Sequence, residues 1–99
     1  MQVFIKMFNM YNSVEISIDT VANTFLCNGK NVDIDTIAFV TRLQHITGSW
    51  QPTMVDLSIQ DGVSYSVTYK TEKGNTKYVG QNRFPENYSQ FEKLLSEVM

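Results

Sequence analysis

Apolar and polar residues alternate with a period of two along much of this chain, the pattern of strands that bury one face and wet the other. Val3, Ile5 and Met7 alternate with Phe4, Lys6 and Phe8, and Val14, Ile16 and Ile18 alternate with Glu15, Ser17 and Asp19. The polar run Asn9 to Asn12 connects the two. A short third strand is expected at Thr24 to Cys27, closed by Asn28-Gly29, a pair that readily takes left-handed turn conformations. The period then changes. Asp33 or Asp35 can cap a helix on which Phe39, Val40, Leu43 and Ile46 share one side, with Ile37 at its edge. Gly48 is its natural stop, and Ser49-Trp50-Gln51-Pro52 reads as a loop.

The second half repeats this order. Val55, Leu57 and Ile59 alternate with Met54, Asp56 and Ser58, and Asp61-Gly62 is a strong hairpin signal. Val63, Tyr65, Val67 and Tyr69 then form the apolar side of another strand. A polar turn at Glu72 to Asn75 leads to a last strand at Thr76 to Val79. Pro85 holds Phe84 extended ahead of a helix that begins near Asn87, with Tyr88, Phe91, Leu95 and Val98 at helical spacing and Leu94 beside them.

Shifted by 52 residues, the two halves fall into register, Phe39 on Phe91 and Leu43 on Leu95. The middle strand needs a one-residue slip, and identities are near chance. An internal duplication of 1–48 and 53–99 is therefore read from order and spacing alone. The expected fold is one α+β domain over 1–99. It is a two-layer sandwich of six mainly antiparallel strands with two helices on one face, in the order βββα-βββα. Such a sheet turns its second face outward, to solvent or to a partner.

Composition narrows the function classes. With 99 residues, 10 acidic and 8 basic side chains and a formal charge of −2, the chain lacks the basic field of a duplex binder. Cys27 is the only cysteine, so no intramolecular disulfide forms. With no leader pattern and no apolar run of membrane-spanning length, the expected location is cytoplasmic. Candidate chemistry is sparse. Cys27 and His45 are the only residues of their types and carry no nucleophile-elbow motif. One histidine and one cysteine are too few for a tetrahedral metal set. Asp33-Ile34-Asp35 could ligate a hard cation, but acidic residues there are better explained by helix capping. Lys70, Lys73, Lys77 and Arg83, interleaved with Tyr69 and Tyr78, suggest weak single-stranded nucleic-acid binding. Lysines that keep an exposed hairpin from aggregating explain the same run.

The expectation is a non-enzymatic chain without cofactor or metal that acts by protein–protein interaction, as an adaptor or inhibitor or through self-association as a homodimer. Phe4, Phe8, Trp50 and Met54 are the candidate contact residues. Phe4 and Phe8 occupy the outward side of the first strand, Met54 is expected beside them, and Trp50 lies in a loop outside the periodic elements. The competing structural reading folds the Trp50 loop over the end of the core. A small-ligand pocket between sheet and helices, offering the hydroxyls of Tyr65, Tyr69 and Tyr78, is the alternative function.

Overall fold

The alternating segments become strands because each can bury every second side chain while its backbone pairs on both edges. The computed structural model describes residues 1–9, 11–56 and 62–99. Its elements are β1 (Gln2–Phe8), β2 (Ser13–Asp19), β3 (Thr24–Cys27), β4 (Lys30–Asn31), α1 (Thr36–Thr47), β5 (Thr53–Val55), β6 (Ser64–Thr71), β7 (Gly74–Gln81) and α2 (Tyr88–Ser96). The strands form one sheet in the order β4-β3-β2-β1-β6-β7-β5. Every pair is antiparallel except β5 with β7. The fold is thus α+β, with two helices and a seven-stranded, mostly antiparallel sheet.

Register decides which side chains share a face. Ile5 lies beside Ile16 on one flank and Val67 on the other, and Val3 lies between Ile18 and Tyr69. These residues, with Phe25 from β3, join Phe39, Val40, Leu43 and Ile46 of α1 and Tyr88, Phe91, Leu94 and Leu95 of α2 in one buried cluster. Phe25 meets Phe39 edge to face at 4.9 Å, which locks α1 onto the sheet. The 85° angle between those rings suits their quadrupoles.

Local signals place most boundaries. Asn28 and Gly29 take φ of 51° and 79°, as a left-handed hairpin corner requires. Asp35, rather than Asp33, caps α1, its carboxylate accepting the Ala38 N–H at 3.1 Å. Phe84 packs back on α2 through Tyr88, with ring centroids 4.5 Å apart, as a hydrophobic staple at the helix entry. Ile37, expected at the edge of the buried stripe, is 64% exposed in the first turn of α1. Gly48 ends α1 in the right-handed region, so its left-handed freedom is not what stops the helix.

The second half departs from the expected plan. The sheet has seven strands instead of six, because Lys30–Asn31 adds a two-residue edge beside β3. The strand expected around Val55 is short, and Leu57, Ile59 and Asp61 lie outside the described residues. β5 does not pair with β6 as β1 pairs with β2. It crosses to run parallel to β7, with Met54 beside Gly80. Similar element order is therefore assembled with different strand neighbours in the two halves. Both sheet edges are short, which limits edge-to-edge association.

Gly80 is one position where only glycine fits. A Cβ there would lie 1.9 Å from the Tyr65 ring carbon Cζ, because Tyr65 crosses the gap beside its cross-strand partner. Gly80→Ala is expected to destabilise the fold by at least ~2 kcal/mol through overpacking. Chemical denaturation of Gly80→Ala, Tyr65→Leu and the double variant tests the contact. A double variant no more stable than the sum of its parts would refute it.

Candidate functional site

Each candidate residue can now be placed on the sheet. The outer face, opposite the helices, carries Gln2, Phe4, Lys6 and Phe8 from β1 at its centre. On one side of them, β2 presents Ser13, Glu15, Ser17 and Asp19, and β3 presents Thr24 and Leu26. On the other side, β6 presents Ser64, Ser66, Thr68 and Lys70, and β7 presents Asn75, Lys77, Val79 and Gln81. Phe8 is 61% exposed, Leu26 is partly exposed, and Phe4 is half-buried. The Lys70 ammonium sits 5.1 Å from the Phe4 ring centroid, a cation–π contact that shields one flank of that ring. A shallow concavity of about 310 Å3 beside Phe8 is bounded by Lys6, Ser64, Ser66, Lys77 and Val79.

Phe4 and Phe8 are where the alternation put them. Met54 and Trp50 are not beside them. Parallel pairing with β7 sets Met54 next to Gly80, hence on the helix side of the sheet, and turns Val55 outward. The expected inward phase of Val55 is thereby reversed. Trp50 is 7% exposed and belongs to the core. Its indole packs edge-on against Phe91 at 5.1 Å and Tyr65 at 5.7 Å. Its Nε1 donates to the Asn87 side-chain oxygen at 2.7 Å, while Asn87 Nδ2 donates to the Ile46 carbonyl at 2.8 Å. A lone tryptophan in a Gly- and Pro-flanked loop carries no sequence signal that separates a surface anchor from a core plug. Its partner, Asn87, was read only as a helix start.

The remaining candidates are dispersed. Cys27 is buried at the end of β3 and lines a cleft of about 750 Å3 at one end of the sheet, with Met7, Val14, Val32 and Val98. His45 instead lines a groove between the helices over Ile46 and Leu94. In that groove the Arg42 guanidinium is held by both Glu97 carboxylate oxygens, at 2.9 and 2.7 Å. This contact raises the Arg42 pKa and keeps the Glu97 carboxyl below the usual carboxylate range. Among the described residues, no three His, Cys, Asp or Glu side chains converge on a metal position. Among the described residues, no helix is long and apolar enough to cross a membrane. Tyr69 and Tyr78 project to the helix side while Lys70 and Lys77 project outward, so β6 and β7 do not combine aromatic and cationic groups on one surface.

The tyrosine hydroxyls considered for ligand binding are largely engaged within the fold. Tyr65 donates to the Arg83 carbonyl at 2.7 Å, and Tyr69 shares a 2.8 Å hydrogen bond with Thr47 in the core. The buried Tyr88 hydroxyl has no hydrogen-bond partner among the described residues. No family model, curated protein or solved structure matches the chain.

Burial pushes the Tyr69 hydroxyl up to about 12 from its ordinary 10.0, and it raises Tyr65 and Tyr88 as well. A raised folded pKa means that the native state keeps a proton which the unfolded chain releases. The associated stability is intact below pH 10 and lost as pH rises toward 12. Urea unfolding between pH 8 and 11 is expected to show this fall, by up to ~1.4 kcal/mol per pH unit for each such tyrosine. A shallower slope in Tyr69→Phe checks the assignment, and an unchanged slope would refute it.

Proposed function

We propose that this chain is a non-catalytic interaction domain, of adaptor or inhibitor type, that binds another protein through its outer sheet face. The observation carrying this reading is the asymmetry of the sheet. One face is filled by both helices, and the other holds Phe8, Phe4, Leu26 and Val79 among Ser and Thr side chains and the charged Lys6, Glu15, Asp19, Lys70 and Lys77. Aromatic side chains at the centre of a face otherwise rimmed by polar residues suit desolvation by a partner. Among the described residues, Cys27 lines the end cleft and His45 the helix groove, and no three His, Cys, Asp or Glu side chains converge.

Affinity capture from a native extract tests the reading when wild type is compared with Phe4→Ser/Phe8→Ser and with a helix-groove control, Gln90→Ala. A bound protein should be retained by the control and lost, by at least tenfold, in the outer-face variant. Equal capture by all three would overturn the proposal.

The end cleft favours a second reading, a small-ligand binder. Its volume is within the usual range of ligand sites, and it combines an apolar floor with the polar side chains of Asn9, Asn12, Asn28, Asn31 and Lys30. Native mass spectrometry of protein purified under non-denaturing conditions should then show a small-molecule adduct that Val14→Trp removes. An adduct-free wild-type spectrum would dismiss this reading.

A further inference from the structure

The outer face is complementary to itself, and the strand register shows about which axis. We infer that a second copy of this chain covers it, related by a twofold axis that lies parallel to the strands between β1 and β6. The inference rests on the outer-face reading above and names its partner. Rotation about that axis lays β1 of one copy over β6 of the other and β2 over β7. Phe4 then faces the partner's Thr68, and Phe8 faces the partner's Ser64, each aromatic ring over a small hydroxyl side chain. The concavity beside Phe8, bounded by Ser64, Ser66 and Val79, is where the partner's Phe8 arrives.

Charge follows the same rotation. On the outer face the acids, Glu15 and Asp19, lie on β2, and the lysines lie on β1, β6 and β7 as Lys6, Lys70 and Lys77. Lys77 shares a row with Ser17, so across the axis it meets the partner's Ser17, flanked two residues either way by Glu15 and Asp19. Lys6 faces Ser66 and Lys70 faces Gln2, so no two lysines stand directly opposed. The other in-plane axis, perpendicular to the strands, would lay β2 on β2 and β7 on β7, and through the row of Phe4 it sets Glu15 against Asp19 and Lys77 against its own copy. Like charges so placed disfavour that arrangement relative to the first.

The face is at the small end of the range for a stable dimer. Four strands of seven or eight residues, about 24 Å long, and the shorter β3 and β5, all ~4.8 Å apart, present a footprint of roughly 570 Å2. A standard interface buries about 800 Å2 on each partner. Strand directions close to parallel across the axis also match the aligned packing usual for two sheets face to face.

Sedimentation velocity of wild type, Lys77→Glu, Glu15→Lys and an equimolar mixture of the two variants tests the inference. Wild type should be dimeric at about 10 µM. Each single variant should bind itself at least tenfold more weakly, since each sets like charges together on both sides of the axis. The mixture should re-form a dimer, because both contacts then join opposite charges. Unchanged far-UV circular dichroism and melting temperature confirm that each variant is folded, which these exposed positions favour.

A wild type that stays monomeric to about 100 µM overturns the inference. A dimer indifferent to both charge reversals, or a mixture that stays monomeric, also overturns it. The broader reading fails separately, when Phe4→Ser/Phe8→Ser captures the same proteins as wild type. A monomer that loses its captured partner in that variant keeps the outer-face reading and discards the self-association.

Discussion

The carboxamide of Asn87 ties the start of α2 to the end of α1 and the loop after it, 41 and 37 residues earlier in the chain. It accepts from the Trp50 indole and donates to the carbonyl of Ile46, one of the last carbonyls of α1, which have no partner within the helix. One polar side chain thereby holds the loop after α1 and sets the start of α2. In doing so it forgoes capping its own helix, which begins without a side-chain cap hydrogen bond. A buried donor or acceptor left unpaired costs about 1–3 kcal/mol, so both bonds are needed together. With the indole fixed, Phe91, Tyr65 and Tyr78 pack around it edge to face, and Tyr65 in turn requires Gly80. The helix-covered half of the molecule is therefore organised around a tryptophan that is not available to a partner.

That packing determines what the other face can do. With both helices on one side, the sheet's remaining apolar side chains cannot reach the core, whatever their size. Phe4 and Phe8 are outward because Val3 and Ile5 are inward, and a period of two allows no other choice. The second half obeys the same rule with a different phase. Once β5 runs parallel to β7, Met54 is committed to the helix side, and Val55 takes the outer position that Met54 was expected to hold.

Legibility in the sequence follows the range of the interaction responsible. The hairpin corner at Asn28-Gly29, a helix cap at Asp33 or Asp35 and the extended Phe84 ahead of α2 are set by residues within a few positions and are readable from the chain alone, whereas which aspartate caps is not. Strand faces in β1, β2 and β6 are equally legible, since alternation is local. The partner of β5 is not. Pairing with β7 instead of β6 depends on contacts with residues more than 20 positions away, and a three-residue strand has too little pattern to reveal it. Trp50 fails for a related reason. Composition marks it as a large side chain in a loop, but its burial is decided by Asn87, 37 residues later.

The same distinction bears on the candidate surface. Its residues come from β1, β2, β3, β6 and β7, and no contiguous segment holds more than four of them on one face. What makes the surface specific is the relation between rows: aromatic rings on β1, small hydroxyls on β6, carboxylates on β2 and a lysine on β7. Any one of these strands would pass as an ordinary solvated edge of a domain. Taken together, they place both carboxylates, Glu15 and Asp19, on one side of the β1–β6 boundary and two of the three lysines, Lys70 and Lys77, on the other, with Lys6 on the carboxylate side. A sheet selected only for solubility has no reason to place two of its three lysines across the midline from both acids, because interspersed charges serve that purpose as well. Segregation about an axis is what an isologous interface needs, since every group must find its complement on the same surface.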